Sequence, residues 1–546
     1  MTVKAIIYNQ GMANAQFGMI GLGTMGRNFL LNIAEHGFSG IGYNKHADKL
    51  ELLRQESDGL PVTGVDNLPD FIAGLETPRK IMMLVPAGDP VDSVINDLLP
   101  YLEPGDLVID GGNSHFTDTE RREAFLTEKG IHFLGVGVSG GEEGARHGAS
   151  IMIGGKPEVY EQIQPFFEAA SAKVGGEACA AHVGKGSAGH FVKMVHNGIE
   201  YGLMQILAET YDFMHRVLKF DYPLMSDIFA EWNGTKLNSF LVEITSEVLR
   251  KADADTGKAL VEMVLDKAAQ KGTGKWTSQA AMDLGVPIPT IDSAVSMRQI
   301  SAQKETRILA AKKYGTLPVP KDDDADGESV ASHPEEDERK AARAREDLET
   351  HASMHQKETG GELEAWADGA EGAEGGRTGR NAEIRAEFTS DIDKAVSDLK
   401  DTLLCAFIVT YAQGMSLLQS ASIEKGYELD LVEISKIWRG GCIIRSALLE
   451  EMRLAYSENP DLQNLILDDR FAGILNEGRD EWRGVTAKFT ESRVPAMCLS
   501  SALAYFDAFR SDRLPANLIQ AQRDFFGAHT YQRTDKEGIF HTPDWK

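Results

Sequence analysis

Between His190 and Tyr201 the sequence reads HFVKMVHNGIEY, and Lys193, His196, Asn197, Glu200 and Tyr201 recur at steps of three and four. On a helix that spacing gathers all five on one face, while the rest of the stretch is largely apolar. A solitary lysine on a helix is normally a solvated charge, and a solitary histidine a packed ring. Five polar groups in register point instead to a site. A lysine partly withdrawn from water gives up its proton more readily and can act as a base. A carboxylic acid two turns further on can supply a proton later. Lys193 and Glu200 therefore suit a reaction that removes one proton and returns another.

A nicotinamide beside that lysine is implied by a second motif. The run Gln16 to Ile20 leads into Gly21-Leu22-Gly23-Thr24-Met25-Gly26, and Arg27-Asn-Phe-Leu-Leu-Asn-Ile-Ala continues with helical spacing. A G-x-G-x-x-G turn is weak evidence alone, but between a strand and a helix it is a dinucleotide-binding fingerprint. Gly21 permits the tight turn, Gly23 the approach of a pyrophosphate, and Gly26 close packing of helix on strand, with the helix N-terminus facing the phosphates. About 20 residues on, an NAD enzyme places an acid against the ribose hydroxyls. Here stand Tyr43, Asn44, Lys45 and His46. A neutral side chain followed by a cation suits a 2′-phosphate, so NADP is the expected cofactor. Asp48 is the nearby acid that would favour NAD, and Lys45 has the alternative of a plain surface role.

Two glycine-rich segments follow candidate strands. Asp110-Gly-Gly-Asn113-Ser114 ends a strand at the carboxyl edge of the sheet, where ligands bind in doubly wound folds. Ser139-Gly140-Gly141 offers a hydroxyl and exposed N–H groups suited to a carboxylate. Cations for an anionic substrate are available from Gln270-Lys271-Gly-Thr273-Gly-Lys-Trp276, from Arg298, and from the segment holding Arg523 and His529. Each arginine taken singly has an ordinary surface reading.

The elements that must carry these residues divide the chain in two. Strand candidates at Gly40–Tyr43, Lys80–Val85, Leu107–Asp110, His132–Val136 and Ser150–Ile153 alternate with helical stretches, which argues for a largely parallel sheet covered on both faces. From about Gly189 helical periodicity dominates. The expected fold class is an α/β Rossmann-like domain over 15–188, a large all-α domain over 189–510, and a C-terminal tail over 511–546 that needs something to pack against. Residues 1–14 read as a poorly ordered extension, with an edge strand at Val3–Tyr8 as the alternative. Within the helical domain, 321–387 carries 20 acidic and nine basic residues with little aliphatic content. Such a segment cannot bury enough apolar surface to order itself; it reads as a mobile insertion or, failing that, a partner-binding arm.

Composition closes off other classes. At 546 residues and 42% hydrophobic the chain can build sizeable cores. Its longest apolar run, Leu403 to Ala412, is about half of what spans a bilayer and reads as buried helix. The 56 basic against 83 acidic residues, net −27, disfavour nucleic acid. Four scattered cysteines argue against a disulfide framework and against a zinc site, no metal is expected, and a reducing cytoplasm is the natural location.

Taken in order, Gly21–Gly26, Asp110–Ser114, Val138–Arg146, Phe191–Tyr201, Lys271–Trp276, Trp438–Arg445 and Leu514–Tyr531 resemble the decarboxylating 6-phosphogluconate dehydrogenases. The resemblance runs from about Ala15 to the C-terminus, apart from the acidic insertion. It implies an NADP-dependent, homodimeric enzyme of the pentose phosphate pathway, acting on 6-phosphogluconate. It further implies that Lys193 is the base and Glu200 the acid. Asn113, Ser139, Gly140, Gly141, His196 and Asn197 would hold the sugar acid; Tyr201, Lys271, Thr273 and Arg298 would meet the phosphate. Arg523 and His529 would come from the second subunit. The cofactor would touch Gly21 to Gly26, Asn44, Lys45, His46, Val85, Pro86, Ala87 and Asn113. Two positions depart from the family pattern. Lys45 stands where arginine is usual, giving a point charge in place of a planar fork. Pro86 stands where lysine is usual, removing a cation and an N–H.

Overall fold

The computed structural model describes residues 14–315 and 378–545, the backbone alone over 378–390. The expectations for residues 1–13 and for most of the acidic insertion fall outside these residues. The long helix Thr378–Lys425 takes in positions 378–387, so the end of the segment assigned to the insertion is helical.

Residues 17–184 build an eight-stranded sheet. Its strands are β1 (Phe17–Ile20), β2 (Gly40–Tyr43), β3 (Val62–Val65), β4 (Lys80–Met83), β5 (Leu107–Asp110), β6 (His132–Ser139) and β7 (Ser150–Gly154), then β10 (Ala180–Gly184) after a short hairpin of β8 (Lys173–Val174) and β9 (Glu177–Ala178). The order across the sheet is β10-β7-β6-β5-β4-β1-β2-β3. All neighbours run parallel except β6 and β7. The order of the first six strands is that of a dinucleotide-binding sheet, with the chain reversing direction across the sheet between β1 and β4.

Strands covered on both faces need continuous apolar runs, and FGMI in β1 and LVID in β5 are buried throughout. By contrast β3 (VTGV) is a half-exposed edge, and β10 (AAHVG) is rich in alanine and lacks β-branched bulk. Neither signals a strand in the sequence. Pairing with β7 carries β6 beyond Val136 as far as Ser139, which delivers that hydroxyl to the sheet edge. At β4 the strand stops at Met83, short of the expected Val85.

The helix Ala188–Arg216 follows directly and is 29 residues long, about 43 Å. Its first turns are pressed onto the sheet. A Cβ on Gly189 would collide with the Gly135 carbonyl and the Gly154 backbone N, and one on Gly137 would collide with the Lys193 side chain. The remaining helices surround this one and Thr378–Lys425, whose most apolar 18-residue window is 83% buried. That burial makes it a core helix, as expected for Leu403–Ala412. The tail forms the helix Ala516–Gly527 and a small hairpin of β11 (Tyr531–Gln532) and β12 (Ile539–Phe540). Leu518, Ile519, Phe525, Phe526 and Ile539 remain exposed there.

Candidate active site

The glycine turn between β1 and the helix Thr24–Glu35 is held at both ends. Gly21 has φ +91°, in the region that favours glycine, and its N–H donates to the Tyr43 carbonyl over 3.2 Å. A Cβ on Gly26 would overlap the Gly21 carbonyl, whereas one on Gly23 meets nothing within 4 Å. The outer glycine thus borders open space at a helix N-terminus, where the backbone N–H groups of Thr24 and Met25 begin the helix. After β2, the Asn44 side chain accepts from the His46 N–H at 2.9 Å and turns the chain into the next helix. Lys45 is exposed, its Nζ 3.4 Å from Asp97. Asp48 lies in the first turn of that helix and pairs with Lys49 at 3.3 Å. Val85, Pro86 and Ala87 form the loop after β4, with Pro86 and Ala87 exposed. Asn113, after β5, sits at φ 55°, and its Oδ1 is buried without a partner. An orphaned buried oxygen beside the glycine turn fits a ligand donor, and so does the open space at Gly23.

On the helix Ala188–Arg216 the lysine is buried in a polar nest. Lys193, 5% exposed, donates to Ser139 Oγ at 3.0 Å and to Asn197 Oδ1 at 2.8 Å, with His196 Nδ1 at 3.3 Å. The other imidazole nitrogen, Nε2, lies 3.3 Å from Ser139 Oγ. Glu200 Oε2 stands 3.9 Å from His196 Nδ1. Burial lowers the Lys193 ammonium below its ordinary range, against the pull of Glu200. Burial raises the Glu200 carboxyl, against Lys193 and Arg298. His196 is pushed well down, first by burial and then by Lys193, and is a neutral imidazole. Withdrawal from water thus moves base and acid toward each other.

Beyond Glu200, Tyr201 is capped by Arg298, whose guanidinium carbon is 3.4 Å from the ring centroid. Arg298 Nη1 also donates to the Ala269 carbonyl at 3.1 Å, steadying the segment that leads to the exposed Lys271. Gly272, at φ +100°, opens the helix Thr273–Asp283, and Thr273 Oγ1 accepts from Asn197 Nδ2 at 3.1 Å. Gly140 and Gly141, both at positive φ, turn β6 into the next helix beside Ser139.

Comparison with known proteins identifies the family. Residues 16–184 match the model of the NAD binding domain of 6-phosphogluconate dehydrogenase, and 189–347 with 370–545 match that enzyme's C-terminal domain. The chain belongs to the 6-phosphogluconate dehydrogenase family. Among curated family members, the NADP(+)-dependent decarboxylating enzyme of Bacillus subtilis is 44% identical, over 98% of this chain and 100% of its own. Decarboxylating enzyme 1 of Saccharomyces cerevisiae is 43% identical, over 95% and 93%. The Plasmodium falciparum enzyme, solved in its apo form and with NADP+ and 6-phosphogluconate, superposes with a TM-score of 0.82 at 37% identity, covering 97% of this chain and 100% of that one.

Of the expected site residues, Lys193, His196, Asn197, Ser139, Thr273, Tyr201 and Arg298 are brought together within one chain. Arg523 and His529 are not. Among the described residues, exposed Arg523 donates only to Gln520, and His529 stacks edge-on with Phe526, with no bond from either to the helix Ala188–Arg216. One group that the sequence did not single out is Arg122, 1% exposed under the site. Its guanidinium reaches Asp92 at 2.9 and 3.0 Å, Asp110 at 3.3 Å, Ser114 Oγ at 3.0 Å and the Gly88 carbonyl at 3.0 Å. Hydrogen bonding from Arg122 holds the Asp92 carboxyl well below the usual range. This one side chain ties the loop after β4 to the loop that carries Asn113. Nothing in ERREAF marks it out, because its neighbour Arg121 is an exposed partner of the same Asp92.

Proposed function

We propose that the chain catalyses oxidative decarboxylation of 6-phospho-D-gluconate with NADP, releasing D-ribulose 5-phosphate, carbon dioxide and NADPH, and that Lys193 and Glu200 move the protons. The observation that carries the assignment is the buried Lys193, without a directly bonded carboxylate among the described residues and set among Ser139, His196 and Asn197 beside the nucleotide sheet. NADP, held by Gly21 to Gly26 and Asn113, would supply the acceptor for the hydride that leaves C3. Neutral Lys193 takes the proton from the C3 hydroxyl as that hydride departs. Then, as an ammonium, it polarises the C3 ketone while carbon dioxide leaves and the electrons of the broken bond form an enediol. Glu200 protonates the enediol carbon that bore the carboxylate, the former C2, which becomes C1 of ribulose 5-phosphate. Asn113, Ser139, Gly140, Gly141, His196 and Asn197 hold the sugar acid, and Tyr201, Lys271, Thr273 and Arg298 receive its phosphate.

Arg523 and His529 act on the substrate of a second copy. Their contacts within the tail and the exposed apolar side chains around them support a homodimer completed by exchanged tails. Asn44, Lys45 and His46 face the 2′-phosphate, and Val85, Pro86 and Ala87 line the cofactor. Four buried free cysteines accord with a reducing cytoplasm. Initial rates with 6-phosphogluconate, using NADP and NAD side by side, test the reading. Strong NADP-linked reduction is expected. A folded protein that binds NADP but reduces neither cofactor would end it.

A further inference from the structure

The exposed faces of the tail helix show that its shape is not imposed by the body of its own chain, so Arg523 and His529 must be placed by contacts within the tail. One residue dominates those contacts. Asp524 is 1% exposed in a tail whose other polar side chains mostly face water. Its Oδ1 accepts from the Thr530 N–H at 3.0 Å, with His541 Nδ1 at 2.8 Å. Its Oδ2 accepts from the Thr542 N–H at 3.0 Å and from Trp545 Nε1 at 2.9 Å. A buried carboxylate is costly unless its oxygens are satisfied, and here donors from both sides of the hairpin converge on it.

The same contacts act on the turn that presents His529. Ala528 and Thr530, on either side of it, sit at φ 50° and 64°, a region that L residues seldom adopt. Thr530 is held from two directions, its N–H by Asp524 and its carbonyl by Gln520 Nε2 at 2.6 Å. The other end of the Gln520 amide accepts from Arg523 Nη1 at 3.1 Å. Gln520 and Asp524 thereby lock Arg523 and His529 to one another before any partner is met.

We propose that Asp524, assisted by Gln520 and Trp545, is a positioning residue for the substrate: it pre-folds the tail so that Arg523 and His529 reach the partner's site in fixed register. The inference rests on the reading that those two residues serve the second subunit. Three full-length variants separate the two ideas: Arg523→Ala, Asp524→Asn and Trp545→Phe. Trp545→Phe removes one donor to Asp524 and leaves Asp524, Arg523 and His529 in place. Steady-state kinetics for each substrate are read together with dimer content by sedimentation.

The expected result is a KM for 6-phosphogluconate raised about tenfold or more by Asp524→Asn and roughly threefold by Trp545→Phe, with the KM for NADP unmoved and the dimer intact. If Arg523→Ala raises that KM while the other two leave it unchanged, positioning is refuted and the exchanged-tail reading stands. If Arg523→Ala leaves it unchanged, the exchanged-tail reading fails and the inference with it. A fall in kcat alone with loss of dimer would reduce Asp524 to a fold-holding role. Should Asp524→Asn not fold, Trp545→Phe decides.

Discussion

In the proposed reaction Lys193 must be neutral to accept a proton, and Glu200 must carry one to donate it. Burial pushes each in the required direction, while their mutual attraction opposes it. The pair titrates as a unit, so the wild-type rate has two limbs that belong to both groups together. Replacing Glu200 with glutamine removes one ionisation. The single remaining group is Lys193, whose lowered pKa leaves it charged at low pH. The variant's kcat/KM should therefore rise with pH to a plateau and show no alkaline fall, at a rate ~10² to 10⁴ below wild type. A retained alkaline limb would remove Glu200 from the acid role. At this scale the sequence is legible where chemistry is local: Lys193, His196, Asn197, Glu200 and Tyr201 share one helix face. It is silent on Arg122, whose meaning lies in Asp92, thirty positions away, and in the Gly88 carbonyl.

Between strand and helix, two glycines of one motif differ in physical role. Gly26→Ala drives a Cβ into the Gly21 carbonyl, and backbone cannot yield as a side chain tip can. Gly23 has φ −62° and open space where a Cβ would stand, so alanine there is tolerated until a pyrophosphate arrives. Thermal melts and NADP titration should show Gly26→Ala destabilised by about 2 kcal/mol or more. Gly23→Ala should melt like wild type yet bind NADP about tenfold more weakly. Equal destabilisation of both would contradict this division.

A second element-level device lies further down the catalytic helix. Buried Glu209 accepts from the N–H groups of Cys498 and Leu499, at 3.0 and 2.9 Å, and so caps the helix Met497–Phe509. Burial raises its carboxyl from 4.5 to about 7, outweighing those donors. Between these values the folded protein holds a proton that the unfolded chain has lost. Stability therefore falls as pH climbs through that window and is level above it. Glu209→Gln should lose this slope, which amounts to ~3 kcal/mol, in urea midpoints compared at pH 5 and pH 8. An unchanged slope would mean that the carboxyl titrates normally. Strands were readable where apolar runs were continuous, and missed in β3 and β10, where pairing partners supply what the local sequence lacks.

For the whole molecule, the proposed exchange of tails has a consequence that mixing can detect. A chain with Lys193→Ala has a sound tail, and a chain with Arg523→Ala has a sound lysine. Unfolded together and refolded, they should regain roughly a quarter of wild-type activity, because half of the random dimers hold one complete site. No recovery would place both residues in the same chain's site. The single sequence could suggest such an exchange only by resemblance, since it would be a property of two chains.

The seam between the sheet and the catalytic helix sets a limit on motion. Gly189 lies against Gly135 and Gly154, and Gly137 against Lys193, with no room for a methyl group. Backbones in such contact have no lubricating layer of side chains over which to slide. The two halves of the chain therefore cannot rock apart as jaws around a hinge at Ala188. Admission of substrate and escape of carbon dioxide fall instead to the rim, where the loops after β4 and β5 and, in the proposed dimer, the neighbouring subunit's tail would form the doorway.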